Sequence, residues 1–313
     1  MASDIWTIKA ALDWTVGYLE SKGDSNPRLS AEWLMSEATG LSRIELYVNY
    51  EKPLSMPERD VLRGYVARRA TGEPLQLISG KAPFRYLTLR VAPGVLIPRP
   101  ETEVLVSEAL AELHLPRVAD HVQANEEGEE IVSAQLPSVR VLDVCTGSGC
   151  IACAIASEYP AAQVLALDIA DKAIDLAQQN VSDLSLQERV EVRKSDLLQA
   201  LAENEWASFD LVISNPPYIP TAVLEGLDRE VTEFEPRLAL DGGEDGLDLV
   251  RVLLKQALAA LKPGGVMALE LFEGHLDQAA DLAKNAGFVD VRIAKDLADR
   301  PRVLIGHAPG GEK

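Results

Sequence analysis

Residues 209–218 read Phe-Asp-Leu-Val-Ile-Ser-Asn-Pro-Pro-Tyr, an apolar run that stops at an amide followed by two prolines. The run Phe209–Ser214 predicts a buried strand. Each proline lacks an N–H and fixes φ, so a central strand cannot continue past Asn215. An amide side chain, a rigid carbonyl and the ring of Tyr218 therefore meet at the carboxyl end of a strand, where open α/β sheets bind ligands. Such a cluster suits a planar NH2 group, with two acceptors for its hydrogens and a ring against its face.

On both sides of this segment, apolar strands alternate with helical patterns. Strands are predicted at Val139–Val144, Gln163–Asp168, Val190–Lys194, Phe209–Ser214, Gly265–Leu271, Val289–Lys295 and Arg302–Gly306. Helices are predicted over Glu101–Leu113, between the first five strands and after the fifth. Regular alternation implies an α/β fold with a mostly parallel sheet and helices on both faces. The two closely spaced final strands predict an antiparallel pair.

The chain is predicted to have two domains and a linker. Residues 1–74 show helical periodicity and predict a small N-terminal helical domain. Residues 75–95 are expected to link the domains as a β-hairpin, because apolar and polar residues alternate there. Residues 96–313 are predicted to form the α/β domain. Within it, the acidic segment 120–135 predicts a solvated surface insertion without a functional site.

The composition describes an acidic globular chain of 313 residues with a formal net charge of −19. This charge argues against a large nonspecific DNA-binding surface, which needs clustered lysine and arginine. No apolar run approaches the length of a membrane span, and the N-terminus has no export-signal pattern. The 3 cysteines, an odd number, fit a reducing compartment, so a cytoplasmic protein is expected.

One stretch departs from the acidic balance of the chain. From Arg68 to Arg99 there are six basic residues and a single acid, Glu73. We expect this stretch to face an acidic protein partner and to steer its docking. The alternative is a solvated surface without a partner.

A second ligand signal follows the first predicted strand, where a glycine-containing turn leads directly into a helix. The turn contains Asp143, Cys145, Thr146, Gly147, Ser148 and Gly149. Glycines here let a ligand approach the backbone closely, beside a partly positive helix N-terminus. Ala152 stands at the third glycine position of the dinucleotide motif, which leaves an NAD or FAD site open.

The next two predicted strands both end in acids. Asp168 can accept hydrogen bonds from both hydroxyls of a ribose, and we favour this role over capping of the next helix. Asp196 either meets an adenine amino group or caps the next helix, and the residues favour neither. With the glycine turn, these acids predict a nucleoside-binding crevice.

The Asn-Pro-Pro-Tyr tetrapeptide indicates which reaction this crevice serves. A nicotinamide enzyme has no evident use for it, whereas methyl transfer to an amide or exocyclic nitrogen requires an NH2 group held in position. Asn215 would accept one N–H through its side-chain oxygen and Pro216 the other through its carbonyl, while Tyr218 packs on the amide plane. A turn without a role is the alternative that the accompanying motifs disfavour.

Cys150 and Cys153 are spaced like a metal or redox pair. No histidine cluster accompanies them, and free cysteine behaves as a small hydrophobe. We therefore interpret both as core residues of the helix after the turn and predict no metal site.

These motifs together resemble the release factor glutamine N5-methyltransferases, the PrmC or HemK family. The matching segments cover nearly the whole chain and are Gly72–Gln76, Leu96–Glu103, Asp143–Gly149, Asn215–Tyr218 and Glu235–Leu240. The resemblance implies a class I S-adenosylmethionine-dependent methyltransferase fold, Rossmann-like with a seven-stranded sheet, behind a substrate-recognition domain at residues 1–74.

The resemblance implies S-adenosylmethionine as methyl donor, S-adenosylhomocysteine as product and no metal. It implies the glutamine of the Gly-Gly-Gln motif in class I peptide chain release factors as acceptor, without membrane or direct nucleic-acid contact. The implied donor-binding residues are Asp143, Cys145, Thr146, Gly147, Ser148, Gly149, Asp168, Asp196, Leu197 and Asn215. The implied glutamine-binding residues are Asn215, Pro216, Pro217, Tyr218, Arg99 and Glu101, of which Asn215, Pro216 and Tyr218 are the catalytic set.

The sequence departs from the family in two places. Cys145 replaces a glycine, which is tolerable unless that backbone requires a positive φ. Glu270 is followed by Leu-Phe-Glu where members often have a glycine soon after the acid, which weakens the case for a role of Glu270.

Three other activities are alternatives: methylation of a ribosomal-protein glutamine, methylation of DNA adenine, and nucleotide binding without catalysis. The net charge of −19 argues against the DNA enzyme. The intact tetrapeptide argues against the non-catalytic module. Only the identity of the acceptor separates the ribosomal-protein enzyme from the release-factor enzyme.

Overall fold

The structure is a computed structural model, and it describes residues 6–113, 122–124, 130–132 and 136–310. The chain divides into two compact units. The first contains the residues up to Lys81 together with Asp228–Phe234, and the second contains Ala82–Leu227 and the residues from Glu235 onward. The predicted domain boundaries at residues 74 and 95 stay predictions.

Helices build the first unit. In chain order they are α1 (Ile8–Ser21), α2 (Pro27–Thr39), α3 (Arg43–Val48), α4 (Met56–Arg69) and α5 (Leu75–Ser79). Ser42 and Ser55 form capping boxes at the starts of α3 and α4. The apolar faces of these helices pack around buried residues such as Leu12, Leu34 and Val66.

Residues 75–79 correct the predicted hairpin, because they form α5 and not a strand. Three apolar residues of this helix are buried, and Gly80, with φ of 75°, ends it in the left-handed conformation. A short apolar run fits both the helical and the strand period, so alternation alone wrongly predicted a strand here. The hairpin itself is shorter and consists of β1 (Lys81–Phe84) and β2 (Leu87–Arg90).

The acidic segment 120–135 is described only at two short strands. These are β3 (Val122–Ala124) and β4 (Glu130–Val132), which pair antiparallel. The rest of that predicted insertion lies outside the described residues.

A seven-stranded sheet forms the centre of the second unit. Its strands are β5 (Val139–Val144), β6 (Ala162–Asp168), β7 (Val190–Lys194), β8 (Phe209–Ser214), β9 (Leu261–Glu270), β10 (Val289–Lys295) and β11 (Pro301–His307). Their order is β10-β11-β9-β8-β5-β6-β7. Strands β5 to β9 run parallel, and β11 lies antiparallel between β9 and β10. The predicted strands and the antiparallel final pair are confirmed.

The remaining helices are α6 (Pro100–Glu112), α7 (Cys150–Glu158), α8 (Asp171–Asp183), α9 (Arg229–Phe234), α10 (Asp248–Ala260) and α11 (Leu276–Ala286). Of these, α9 belongs to the first unit. The prediction of a helix between β7 and β8 is wrong, because residues 195–208 contain only a short 3-10 turn. This connection buries Leu198 and Leu201 but has no longer apolar stripe for a helix to bury.

Alternation along the strands places a hydrophobic cluster on each face of the sheet. Val141 belongs to one cluster and Leu142 to the other. From β5 the chain continues to β6 on one side, whereas β8 pairs with β5 on the other. The carboxyl ends of these three strands thus form a topological switch point, the position where such sheets bind ligands.

Candidate active site

A cavity of about 570 Å³ opens at this switch point. Its volume lies within the range of small-molecule sites, roughly 300–1,000 Å³. The predicted site residues that line it are Arg99, Cys145, Thr146, Gly147, Ser148, Asp168, Asp196, Leu197, Asn215 and Pro217. The predicted site residues absent from its lining are Glu101, Asp143, Gly149, Pro216 and Tyr218.

The turn between β5 and α7 depends on left-handed backbone. Gly147 has φ of 55° and Gly149 has φ of 79°. A Cβ at Gly149 would lie 3.1 Å from the Cβ of Ala177 on α8, so the glycine also permits close packing. Cys145 has φ of 60° as well. The position where the family has glycine therefore does require a positive φ, and a non-glycine residue occupies it here at a cost of roughly 1–2 kcal/mol.

Asp168 joins this turn to the start of α8. Its Oδ2 accepts a hydrogen bond from the Gly147 N–H and its Oδ1 one from the Ala170 N–H, both at 2.9 Å. Burial raises the pKa of this carboxyl, and these backbone hydrogen bonds oppose the rise. The N-cap residue of α8 is Ala170, so Asp168 is fixed on the cavity wall by the loop and does not occupy the cap position.

The segment after β7 excludes one of the two roles predicted for Asp196, the capping of a following helix. No α-helix follows it in residues 195–208, and the N-cap of the 3-10 helix there is Ala202, so Asp196 is not a helix cap. Asp196 lines the cavity and accepts a hydrogen bond from Gln199 Nε2 at 3.1 Å. Leu197 lines the cavity beside it with φ of 46°. Contact of these two residues with an adenine stays a prediction.

Asp143 lies behind the glycine turn, fully buried. Its Oδ2 accepts hydrogen bonds from Thr146 Oγ1 at 2.6 Å and from the Ala152 N–H at 3.2 Å. Burial raises the pKa of Asp143 to about 7, against the effect of these two hydrogen bonds. In this structure the side chain fixes the turn from below and does not line the cavity.

Asn215 stands on the cavity wall directly after β8. Its Nδ2 donates to Thr102 Oγ1 on α6 at 3.0 Å. Its Oδ1 and the carbonyl of Pro216 accept no hydrogen bond from the described residues. Asn215 Oδ1 is therefore available to a ligand in the cavity, whereas Pro216 is buried and does not line it, so the Pro216 carbonyl as the second acceptor stays a prediction.

A buried carboxyl that the sequence argument did not favour lies behind this amide. Glu270, at the end of β9, accepts a hydrogen bond from the Tyr218 hydroxyl at 3.5 Å. Burial raises the pKa of Glu270 to about 7, and the nearby Thr102 hydroxyl opposes the rise. Burial also raises the pKa of Tyr218. The ring of Tyr218 is thus tied to the protein interior, and its packing on a substrate amide stays a prediction.

A glycine-rich loop supports the tetrapeptide from outside the sheet. Ile219 donates its N–H to Leu240 and accepts one from Gly242, at 2.9 and 2.8 Å. A Cβ at Gly242 would lie 2.7 Å from Tyr218 Cα, and one at Gly246 would lie 2.4 Å from the Tyr218 carbonyl oxygen. Three glycines within five residues were the sequence signal for this close approach, and the motif search did not use it.

Arg99 and Glu101 have protein partners. The Arg99 guanidinium donates to Glu235 Oε2, and Glu235 Oε1 accepts the N–H of Ile97 at 3.3 Å. Arg99 lines the cavity while making this contact, whereas Glu101 lies 3.6 Å from Arg300. The Glu235 segment therefore holds the loop before α6 in place, and direct substrate contacts of Arg99 and Glu101 stay predictions.

The basic stretch from Arg68 to Arg99 corrects a second expectation. Each of its six basic side chains forms an ion pair with an acid: Arg68–Glu73, Arg69–Asp24, Lys81–Glu37, Arg85–Glu158, Arg90–Asp183 and Arg99–Glu235. The partner of Arg99 lies 136 positions away along the chain, which sequence reading could not detect. The stretch is not an unpaired basic surface, so the basis for docking of an acidic partner is lost.

The cysteine interpretation is confirmed, since Cys150 and Cys153 are buried on α7 in the core. Within the described ranges, no group of three or more His, Cys, Asp or Glu side chains could hold a metal ion. A membrane-crossing helix, long and apolar enough to span a bilayer, does not occur among the described helices.

The donor set of the cavity fits S-adenosylmethionine. The glycine-containing turn after β5 lets a ligand approach the backbone closely, beside a helix N-terminus. The carboxylates of Asp168 and Asp196 stand at the ends of the next two strands. The seven-stranded sheet with its antiparallel β11 and this site define a class I S-adenosylmethionine-dependent methyltransferase.

Comparison with known proteins gives the family. Residues 10–80 match the family model of the PrmC N-terminal domain, and residues 126–226 match the methyltransferase small domain. The chain is 45% identical to the release factor glutamine methyltransferase of Geobacter sulfurreducens, over 97% of each chain. It is 39% identical to that of Rhodopirellula baltica, over 96% of this chain and 95% of the relative. The chain belongs to the release factor glutamine methyltransferase family.

A solved structure is also similar to this chain. It is the protein-(glutamine-N5) methyltransferase (release factor-specific) of Alicyclobacillus acidocaldarius, with 28% identity and a TM-score of 0.38. The similarity covers 71% of this chain and 99% of that one.

Proposed function

We propose that this protein transfers a methyl group from S-adenosylmethionine to the side-chain amide nitrogen of the glutamine in the Gly-Gly-Gln motif of class I peptide chain release factors. The observation that carries the proposal is the state of Asn215 on the cavity wall, directly before Pro216. Asn215 Oδ1 and the Pro216 carbonyl accept nothing from the described residues, while the Asn215 NH2 is already bound by Thr102. Two acceptors with no competing donor suit an NH2 group.

The reaction has to overcome the poor nucleophilicity of an amide nitrogen, whose lone pair is delocalised into the carbonyl. S-adenosylmethionine supplies the methyl group as an electrophile on a positively charged sulfur. Asn215 and Pro216 accept the two N–H hydrogens, orient the nitrogen and stabilise the positive charge that develops on it. The nitrogen gains the methyl group as the bond from that carbon to sulfur breaks, S-adenosylhomocysteine leaves as the neutral thioether, and the nitrogen then loses one proton to water, which restores the neutral amide.

The donor and the acceptor protein are assigned to different parts of the chain. The glycine turn, Asp168, Asp196 and Leu197 hold the donor, and Asn215–Tyr218 hold the glutamine. The helical domain at residues 1–74 recognises the release factor, which is supported by the match of residues 10–80 to the PrmC N-terminal domain. We place the activity in the cytoplasm, without a membrane or a direct nucleic-acid contact.

The test is incubation of the protein with labelled donor and purified class I release factors, followed by peptide mass mapping. One methyl group is expected on the Gly-Gly-Gln glutamine, and none when the motif is changed to Gly-Gly-Ala. Asn215→Ala should abolish methyl transfer, because it removes the oxygen that accepts a hydrogen bond from the NH2 group of the substrate glutamine. The affinity for S-adenosylmethionine should stay within about threefold of the wild type. Asn285→Ala, an exposed asparagine on α11, is the matched control.

Two results would contradict the proposal. One is methylation of the Gly-Gly-Ala factor, and the other is full activity of Asn215→Ala. Methylation of a ribosomal protein in place of the release factor would instead show that the substrate is a ribosomal-protein glutamine.

A further inference from the structure

The NH2 group of Asn215 is bound by a hydroxyl that itself contacts a carboxyl. Asn215 Nδ2 lies 3.0 Å from Thr102 Oγ1, and Thr102 is only 2% exposed. The Thr102 hydroxyl lies close enough to Glu270, which is 1% exposed, to lower the pKa of its carboxyl. Glu270 Oε2 has no partner of ordinary hydrogen-bond geometry among the described residues, so the carboxyl has acceptor capacity to spare. Asn215, Thr102 and Glu270 therefore form a row of polar groups that leads from the cavity wall to a buried carboxyl.

The single proton of a hydroxyl gives this row a direction. When Glu270 is a carboxylate, it can only accept, so the Thr102 hydroxyl donates its proton to it. Thr102 can then only accept from Asn215, which must turn Nδ2 inward and Oδ1 toward the cavity. When Glu270 is protonated, it can donate to Thr102, whose proton is then free to meet Asn215 Oδ1. The amide would turn over and present a donor, where the substrate NH2 needs an acceptor.

We propose that Thr102 and Glu270 are positioning residues that set the hydrogen-bonding polarity of Asn215, so that its Oδ1 faces the glutamine amide of the substrate. The inference rests on the proposed function and adds to it the residues that make Asn215 an acceptor. Neither Glu270 nor Tyr218 lines the cavity, so the carboxyl acts through Thr102 and not on the substrate. Two buried polar groups behind an amide are costly unless they are satisfied, which favours one fixed arrangement.

The charge of Glu270 decides the arrangement, so its surroundings set the pH dependence. From α6, Thr102 faces it and Glu101 adds a repelling charge, while the Tyr218 hydroxyl donates to it from the segment after β8. Arg302 on β11 attracts it and lies 3.7 Å from Asp296, which shares that positive charge. Because the pKa of Glu270 is about 7, the carboxylate forms as the pH rises through neutrality. The arrangement in which Asn215 Oδ1 faces the cavity is gained over the same pH range.

The experiment compares isosteric variants in methylation of a release factor. Glu270→Gln and Thr102→Val should lower kcat by roughly 10- to 100-fold, with donor affinity within about threefold of the wild type. Thr102→Ser keeps the hydroxyl and should retain activity near that of the wild type. Glu273→Gln, an exposed glutamate three residues on, is the control. Wild-type kcat should rise with pH to a plateau, whereas Glu270→Gln should stay low and nearly flat.

A second measurement does not depend on turnover. The side-chain NH2 resonances of Asn215, in protein labelled with 15N-asparagine, should shift with pH in the wild type and not in Glu270→Gln. A wild-type signal that does not respond to pH overturns the inference, whether or not release factors are methylated. So does an unchanged kcat and pH profile in Glu270→Gln, or an equal loss in Thr102→Ser and Thr102→Val. Absent methylation by the wild type would instead contradict the proposed function.

Discussion

The substitution Gly246→Ala tests whether the glycine-rich loop holds the tetrapeptide Asn215–Tyr218, the proposed glutamine site, in position. Gly246 has φ of 77°, and a Cβ there would lie 2.4 Å from the Tyr218 carbonyl oxygen and 2.8 Å from His275 Cε1. The carbonyl belongs to the peptide that follows Asn-Pro-Pro, so it cannot rotate away as a side chain would. Alanine must therefore displace the end of the tetrapeptide.

The size of this displacement follows from the contact distance. An ordinary contact begins at 3.4 Å, so the Tyr218 carbonyl must retreat by about 1 Å. A shift of that order at an active site can lower the rate by roughly 100-fold, because the reacting geometry is lost. Left-handed backbone adds a cost of roughly 1–2 kcal/mol for any non-glycine residue, and overpacking adds about 1–3 kcal/mol more.

The control is Gly264→Ala, which separates backbone strain from the clash. Gly264 has φ of 76°, and no described atom lies within 4 Å of its would-be Cβ. Urea unfolding should show a loss of roughly 1–2 kcal/mol in Gly264→Ala and a larger loss in Gly246→Ala. Methylation of a release factor should fall about 100-fold in Gly246→Ala alone, measured where both variants are fully folded. Equal activity of the two variants would refute the reasoning.

Two further predictions concern the glycine turn. Burial raises the pKa of Asp143 from 3.8 to about 7, so between these pH values the folded state keeps a proton that the unfolded state has released. The contribution of this group to the unfolding free energy therefore falls as the pH rises through that range. Asp143→Asn should flatten that fall in urea titrations from pH 5 to 8, and parallel curves would contradict this. Cys145→Gly should change stability by less than about 1 kcal/mol, because relief of left-handed strain offsets a more flexible unfolded chain. Cys145→Val, β-branched at the same φ of 60°, should destabilise and weaken donor binding in calorimetry, and equal behaviour of the two variants would count against a strained Cys145.

Much of the fold could be predicted because its signals are local. Strand β8 and its end at Asn215 follow from an apolar run and two prolines, and β5 with its turn follows from similar short-range chemistry. The helix at residues 75–79 and the absence of an α-helix in residues 195–208 could not be predicted from such local signals. Both segments contain only a few apolar residues, which fit several backbone shapes until the tertiary packing selects one.

Predicting the site required more than the motifs, because hydrogen bonds have a direction that residue types do not show. The sequence indicates that Asn215 meets an NH2 group, but an amide can present either its oxygen or its nitrogen. Thr102, 113 positions away, binds the nitrogen and so leaves the oxygen for the cavity. Glu270 can impose this order only because β9 lies next to β8 and α6 packs against β9. On this proposal the polarity of the Asn215 amide is a property of the packed sheet and helix, and changes to Thr102 or Glu270 should alter methyl transfer while the tetrapeptide itself is intact.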